Sequence, residues 1–109
     1  MYIYIYTPLD YAIENDRTEV VNLLIEKGAD IHVKDNDGAT PLHEASEYGH
    51  IEVVNLLIEK GADIHVKDND GDTPLHEASE YGHTEVVNLL IEKGADIHVK
   101  NKYGDTPLH

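Results

Sequence analysis

The sequence has no cysteine, no tryptophan and no phenylalanine, and one methionine. Without cysteine there is no disulfide framework, no thiolate zinc site and no thiol nucleophile, which suits a reducing compartment. No run approaches the ~20 apolar residues that a membrane-spanning helix needs. The opening residues, MYIYIY, carry no positive charge and are too short for the apolar stretch of a signal peptide. The chain reads as cytoplasmic, or as exported by a route that uses no such signal, as bacterial effectors do. Positive charge is also scarce: 8 Lys and Arg face 22 Asp and Glu, a formal net charge of -14. Nucleic-acid affinity depends on Lys and Arg displacing counterions, and anionic membranes attract basic surfaces. Neither is expected as a partner, and a basic or neutral protein is favoured. Acidity also keeps a repetitive chain soluble. The 109 residues suffice for one modest domain, which must pack regularly because so short a chain buries only part of its surface.

The stretch VKDNDGATPLHE, residues 33–44, raises a metal question. Asp35, Asp37, Gly38 and Glu44 fall on positions 3, 5, 6 and 12 of a calcium-binding EF-hand loop. Position 1 of such a loop needs an oxygen ligand, and here it holds Val33. Gly28-Ala29-Asp30 also ends the preceding helix too early for an entering EF-hand helix. The stretch returns as VKDNDGDTPLHE at 66–77, again with valine first, and as VKNKYGDTPLH at 99–109, where Asn101 and Tyr103 replace two aspartates. No metal is expected. Asp-Gly has a simpler use as a two-residue hairpin turn, because glycine tolerates positive φ and Asp bonds its own backbone.

Thr-Pro-Leu stands at 7, 40, 73 and 106, a strict period of 33. Residues 40–72 and 73–105 differ only at 51/84, 68/101, 69/102 and 70/103, so 29 of 33 positions agree; residues 7–39 match 40–72 at 25 of 33. Self-similarity at this period specifies stacked units. In 40–72, Thr40 can cap a helix and Pro41 suits its first turn. A short helix runs through LHEASEY and ends at Gly49. A second helix covers about 52–60, with Val53, Val54, Leu56, Leu57 and Ile58 apolar and Glu52, Asn55 and Glu59 on the solvated side. That apolar stripe is too wide for one buried face and suits a helix sandwiched between neighbours. The expected organisation is an irregular segment 1–6, units 7–39, 40–72 and 73–105, and the start of a fourth at 106–109, all one solenoid.

The pattern G-x-TPLH-x-A, then G-H-x-E-V-V-x-LL-I-x-x-GAD-I, resembles the ankyrin repeat over residues 7–109. The resemblance implies an all-α repeat solenoid of stacked helix-turn-helix units with β-hairpin fingers and a concave binding surface. It implies no catalysis and no cofactor. It also implies that finger tips and first helices contact a protein partner: Tyr11, Glu14 and Asn15 in the first unit; Asn36, Asp37, Ala39, Glu44, Glu47 and Tyr48 in the second; Asn69, Asp70, Asp72, Glu77, Glu80 and Tyr81 in the third; and Lys102, Tyr103 and Asp105 at the far edge. The alternative is a structural spacer or a fragment of a longer array with no ligand of its own. Departures from the family pattern are His32, His65 and His98, where Asn is common, and Ser46 and Ser79, where a second Ala is common. Asp10, Ile13, Asn15, Asp16 and Arg17 also make the first unit degenerate, with Asp16 replacing a glycine whose left-handed backbone it can adopt less readily.

Other chemistry finds little support. His32, His65 and His98 form a column at about 10 Å spacing, too far apart to share a metal. His43, His50, His76 and His83 match positions that bond neighbouring backbone in the family. Ser46 and Ser79 lie inside helices without a nucleophile motif. Glu44 and Glu47, at i and i+3, read as a surface pair. The ends read as uncapped. Met1 to Tyr6 alternates tyrosine and isoleucine in an uncharged, β-prone hexapeptide that can pair strand edges. In the third unit Val86, Val87, Leu89, Leu90 and Ile91 are expected to lack a covering neighbour. Self-association through either end is therefore expected as a route to a homo-oligomer.

Overall fold

The computed structural model describes residues 5–108. The expected alternation of Tyr2, Ile3 and Tyr4 lies outside them. Six helices follow in order: α1 (Pro8–Glu14), α2 (Thr18–Glu26), α3 (Pro41–Tyr48), α4 (Ile51–Glu59), α5 (Pro74–Glu80) and α6 (Thr84–Glu92). Each odd helix starts for one reason. The hydroxyls of Thr7, Thr40 and Thr73 accept from the backbone N–H three residues on, and a proline fills the first turn, where a missing N–H costs nothing. The residue three positions on answers each cap. Asp10 Oδ2 accepts from Thr7 N at 2.8 Å, and His43 and His76 accept through Nδ1 from Thr40 N and Thr73 N at 3.1 and 3.0 Å. Gly49 ends α3 with φ 72°. Asp16 takes the same left-handed turn after α1, with φ 56°.

The odd helices form one layer and the even helices a second. α3 packs between α1 and α5, and α4 between α2 and α6. Leu9, Leu42 and Leu75 of the inner layer and Val21, Val54 and Leu57 of the outer layer are buried between them. Each such side chain contributes roughly 1.5–3 kcal/mol when withdrawn from water.

Histidines tie successive units together. With Nδ1 of His43 and His76 accepting from the cap, the ring proton sits on Nε2. It is donated to the carbonyls of Asp72 and Asp105 in the next finger at 2.8 and 3.0 Å. Two further rings reach backwards: His50 Nε2 donates to the Glu14 carbonyl at 3.0 Å and His83 Nε2 to that of Glu47 at 2.7 Å. The family expectation that these histidines bond neighbouring backbone is met.

The fingers differ from expectation, since no strand forms among the described residues. Nor is the turn two residues long. Gly38 N donates to the Asp35 carbonyl at 3.0 Å, and Asp35 N to that of Ala39 at 2.9 Å. Gly38 has φ 78°, while Asp37 lies outside the positive-φ region. This is a three-residue loop in which a turn is followed by a left-handed glycine. Asp35 Oδ1 holds it by accepting from Asp37 N and Ala39 N at 2.8 and 2.9 Å. Asp68 and Asn101 do the same in the next two fingers. Fingers join by single backbone bonds, Asn69 N to the Asp37 carbonyl at 2.8 Å and Lys102 N to that of Asp70 at 2.9 Å. One bond per step is too few for a strand ladder.

The ends also correct the sequence reading. Val86 and Leu90 are buried, Val87 and Leu89 are partly buried, and the exposure falls on Ile91. The larger apolar exposure is at the other end of the stack, on Val20 and Leu23 of α2.

The packing generates a glycine prediction. A Cβ at Gly49 would run into the ring of His83, whereas one at Gly82, with almost the same φ, meets nothing within 4 Å. Gly82→Ala is expected to lower unfolding free energy by about 1 kcal/mol, from backbone strain alone. Gly49→Ala adds the clash and the strained histidine bond and is expected to lose about 2 kcal/mol or more. Urea denaturation of the two variants checks the difference.

Candidate functional site

The expected residues lie on the inner helices, at the C-terminal caps of α1 and α5, and on the fingers. Asn36, Asp37 and Asn69 are exposed at finger tips, with the Asn69 side-chain amide donating to the Asn36 carbonyl at 3.2 Å. Lys102 Nζ pairs with Asp70 Oδ1 at 2.6 Å and lies 5.2 Å from the Tyr103 ring centre. The Asp70 carboxylate holds the Lys102 ammonium above its ordinary range. The lysine thus ties its own finger to the preceding one. Asp105 is half-buried, and its backbone N–H donates to Asn101 Oδ1 at 3.0 Å. Ala39 and Asp72 are half-buried at the finger bases, where Asp72 Oδ1 accepts from the Asn101 amide at 2.8 Å.

On the inner helices Tyr48 and Tyr81 recur in register, 42% and 52% exposed, one unit apart. Tyr48 stacks on His50 at 5.8 Å. Its hydroxyl is raised by burial and by Glu14, Glu47 and Glu44. Tyr81 is raised by the carboxylates of Glu47 and Glu80 before burial enters. Each tyrosine therefore looks onto carboxylates of its own and the preceding unit. Tyr11 is exposed on α1, and Asn15 turns back to donate to the Tyr11 carbonyl at 2.8 Å. Glu80 is exposed, and Glu14 and Glu47 are half-buried.

Glu44 and Glu77 depart from the surface reading. Both are half-buried, and Glu44 Oε1 is buried without a hydrogen-bond partner. Burial raises Glu44 to about 8, with Asp10, Glu14, Asp35 and Glu47 adding to it. Glu77 is likewise pushed up to about 8, by burial and then by Asp72, Asp68, Glu47 and Glu80. Glu47 moves in the same direction, through burial and Glu80. Helix spacing showed that Glu44 and Glu47 share a face. It could not show that the finger and the preceding unit close over the first of them. A cavity of about 10 Å³, room for one water at most, lies against Glu44, Asp10, Asp35 and Thr40.

Tyr6 was not expected at the site. It aligns with Ala39 and Asp72, and hydrogen bonding to the Glu14 carboxylate pushes its hydroxyl up to about 12. Its alignment with the finger base was the available signal. Also missed were two repeated grooves, of about 250 and 220 Å³, lined in part by His32, Lys34 and Asp63 and by His65, Lys67 and Asp96.

The metal question has a structural answer. Among the described residues, Asp68, Asp72 and Glu77 place one oxygen each within 4.8 Å of one another. The first two carboxylates already serve the finger: Asp68 Oδ1 accepts two backbone N–H groups and Asp72 Oδ1 the Asn101 amide. The triad does not recur, because Ala39 stands in place of Asp72 and Asn101 in place of Asp68. His32, His65 and His98 are exposed, each with its backbone N–H on the aspartate two residues back, at 2.8 Å. Ser46 Oγ and Ser79 Oγ are buried without hydrogen-bond partners, so no general base addresses either.

Comparison with protein families finds a model described as Ankyrin repeats (many copies), matching residues 9–58, 42–91 and 75–109. The curated proteins yield no match. No helix of the described residues is long and apolar enough to cross a membrane.

The carboxyls generate a pH prediction. A carboxyl raised on folding binds a proton in the native state that the unfolded chain releases near its ordinary value, so stability falls as pH rises between the two. For Glu44 and Glu77 that window ends near 8. Glu44→Gln with Glu77→Gln keeps the shape of the neutral acids. The double variant is expected to match the parent near pH 5 and exceed it by about 2 kcal/mol at pH 9, a figure reduced because both carboxyls are partly in water. Denaturant titrations at the two pH values measure it.

Proposed function

We propose, from the premise that the chain belongs to the ankyrin-repeat family, that it is a non-catalytic module binding a protein partner on its concave face. Proteins built of ankyrin repeats generally serve protein–protein interaction. In this reading the units 7–39, 40–72 and 73–105 act as one binding surface. The partner is a basic protein rather than a nucleic acid or an anionic membrane, because the face is acidic and the formal net charge is -14.

The observation that carries the reading is the pair Tyr48 and Tyr81. They are exposed, aligned one unit apart and flanked by Glu47 and Glu80. Tyrosine is a favoured anchor at protein interfaces, offering a large rigid surface with a polar tip. The surrounding acids steer a cationic partner and make its capture salt-sensitive. Ser46, Ser79 and the histidines take no part.

A spacer without a ligand remains the competing reading. It is favoured by the identity of Glu44, Glu47 and Tyr48 with Glu77, Glu80 and Tyr81. Affinity capture on the immobilised chain separates the two. Tyr48→Ala with Tyr81→Ala is expected to reduce capture of a salt-displaced partner at least about tenfold, with the helical circular-dichroism signal unchanged. Capture that survives the double substitution would refute the assignment of the face. Absence of any specific capture would favour the spacer.

A further inference from the structure

The sequence holds two Asp-Gly pairs, Asp37-Gly38 and Asp70-Gly71, and no Asn-Gly pair. At Asp-Gly a main chain rearranges most readily, because the nitrogen after the aspartate can close on its carboxyl and glycine puts no side chain in the way. Neither loop can exchange its glycine freely. Gly38 and Gly71 have φ of 78° and 81°, and a Cβ at Gly38 would run into the Asn69 side chain. The loop geometry that the fingers need therefore carries this lability with it.

The two loops share one frame. Gly38 N and Gly71 N donate to the Asp35 and Asp68 carbonyls, both at 3.0 Å. The carbonyls of Asp37 and Asp70 each accept the single backbone bond from the next finger, at 2.8 and 2.9 Å. This frame slows rearrangement in both loops, because the glycine nitrogen must leave its own bond to attack. The aspartate carboxyls differ. Asp37 is exposed, and its carboxylate makes no hydrogen bond or ion pair among the described residues. Asp70 is half-buried, and its Oδ1 pairs with Lys102 Nζ at 2.6 Å. That bond must break before the Asp70 carboxyl can close on Gly71 N. Asn69 holds the position one unit before Lys102, and its amide donates to the Asn36 carbonyl instead of reaching Asp37.

We propose that Asp37 is a site of spontaneous isoaspartate formation that uncouples its finger from the next, and that Lys102 protects Asp70 from the same reaction. Gly38 N bonds to Asp37 Cγ, and the carboxyl oxygen leaves as water, taking up the amide proton. The product is a five-membered succinimide. Water then opens the ring at the original main-chain carbonyl carbon of Asp37, breaking its bond to Gly38 N. The main chain now runs through Cβ and Cγ, and the former carbonyl becomes a free carboxylate. One water is lost and one gained, nothing is oxidised or reduced, and mass and charge are unchanged. Two bonds depend on the original path. The Asp37 carbonyl accepts from Asn69 N, and Gly38 N reaches the Asp35 carbonyl. An extra methylene between them displaces both. The inference stands apart from the partner reading.

Ageing the whole chain for weeks at neutral pH and body temperature tests it, with isoaspartate located by peptide mapping and fragmentation that distinguishes the two linkages. Isoaspartate is expected to accumulate at 37 about threefold faster than at 70, the scale of protection an exposed ion pair of good geometry provides. Lys102→Met is expected to raise the rate at 70 to that at 37. Lys102 is exposed, so helical content is expected to stay native. In the isoaspartate-containing fraction the Asn69 amide is expected to exchange with deuterium about tenfold faster, having lost its acceptor. No isoaspartate at 37, or a rate at 70 that equals or exceeds it in the parent chain, overturns the proposal. So does Lys102→Met that leaves the rate at 70 unchanged. An Asn69 amide that exchanges as before overturns the uncoupling.

Discussion

The structure depends on a neutral imidazole bonded on both sides. His43 and His76 each accept a hydrogen bond from a threonine N–H within their own unit and donate one to a carbonyl in the next finger. One ring therefore completes a helix cap and fixes the spacing to the following finger. A second proton on Nδ1 would face the Thr40 N–H donor and break the cap. Burial of His43 lowers its affinity for that proton. A buried histidine held neutral favours the folded state above its unfolded pKa, and that advantage is lost as pH falls through the window below it. The fingers, whose tips carry Asn36, Asp37, Asn69 and Asp70, hang from these bonds and from one backbone bond per step.

The same stacking that orders the fingers creates the strain in the acidic face. Each unit adds carboxylates to a column already filled by its predecessor, and the fingers close over part of them. Glu44 and Glu77 answer by holding protons near neutrality, while Glu80 stays at the surface. Approach of a cation would reverse this, because a positive side chain stabilises the ionised form. The first unit relieves the column differently. Tyr11 replaces a glutamate, and Asp10 turns its carboxylate into the Thr7 cap.

Much of this was legible in the sequence because the signals are local and repeated. Thr-Pro at a fixed period marks the start of α1, α3 and α5 to the residue. The glycine at 49 and the aspartate at 16 mark the left-handed turns that follow. What escaped was set between units. Whether Asp-Gly makes a two- or three-residue loop depends on the φ of Asp37, which neighbouring bonds decide. Glu44 looks solvated by helical spacing alone, yet Val33, Asp35 and Ala39 close over it from the finger. Val20 and Val86 sit in identical nonapeptides and differ almost completely in burial. Only the presence of a preceding helix distinguishes them, and no local pattern records it. Site residues were the least legible, since the units repeat them and a single sequence does not rank surface positions.

The most direct test of the account is the protonation state of the ring nitrogens of His43 and His76, read from two-bond nitrogen–proton correlations during an NMR pH titration. The account predicts that both rings carry their proton on Nε2, and that His43 stays neutral below the pH at which an ordinary histidine titrates. Rings that populate both tautomers, or a His43 that charges at the ordinary value while the units remain folded, would contradict it.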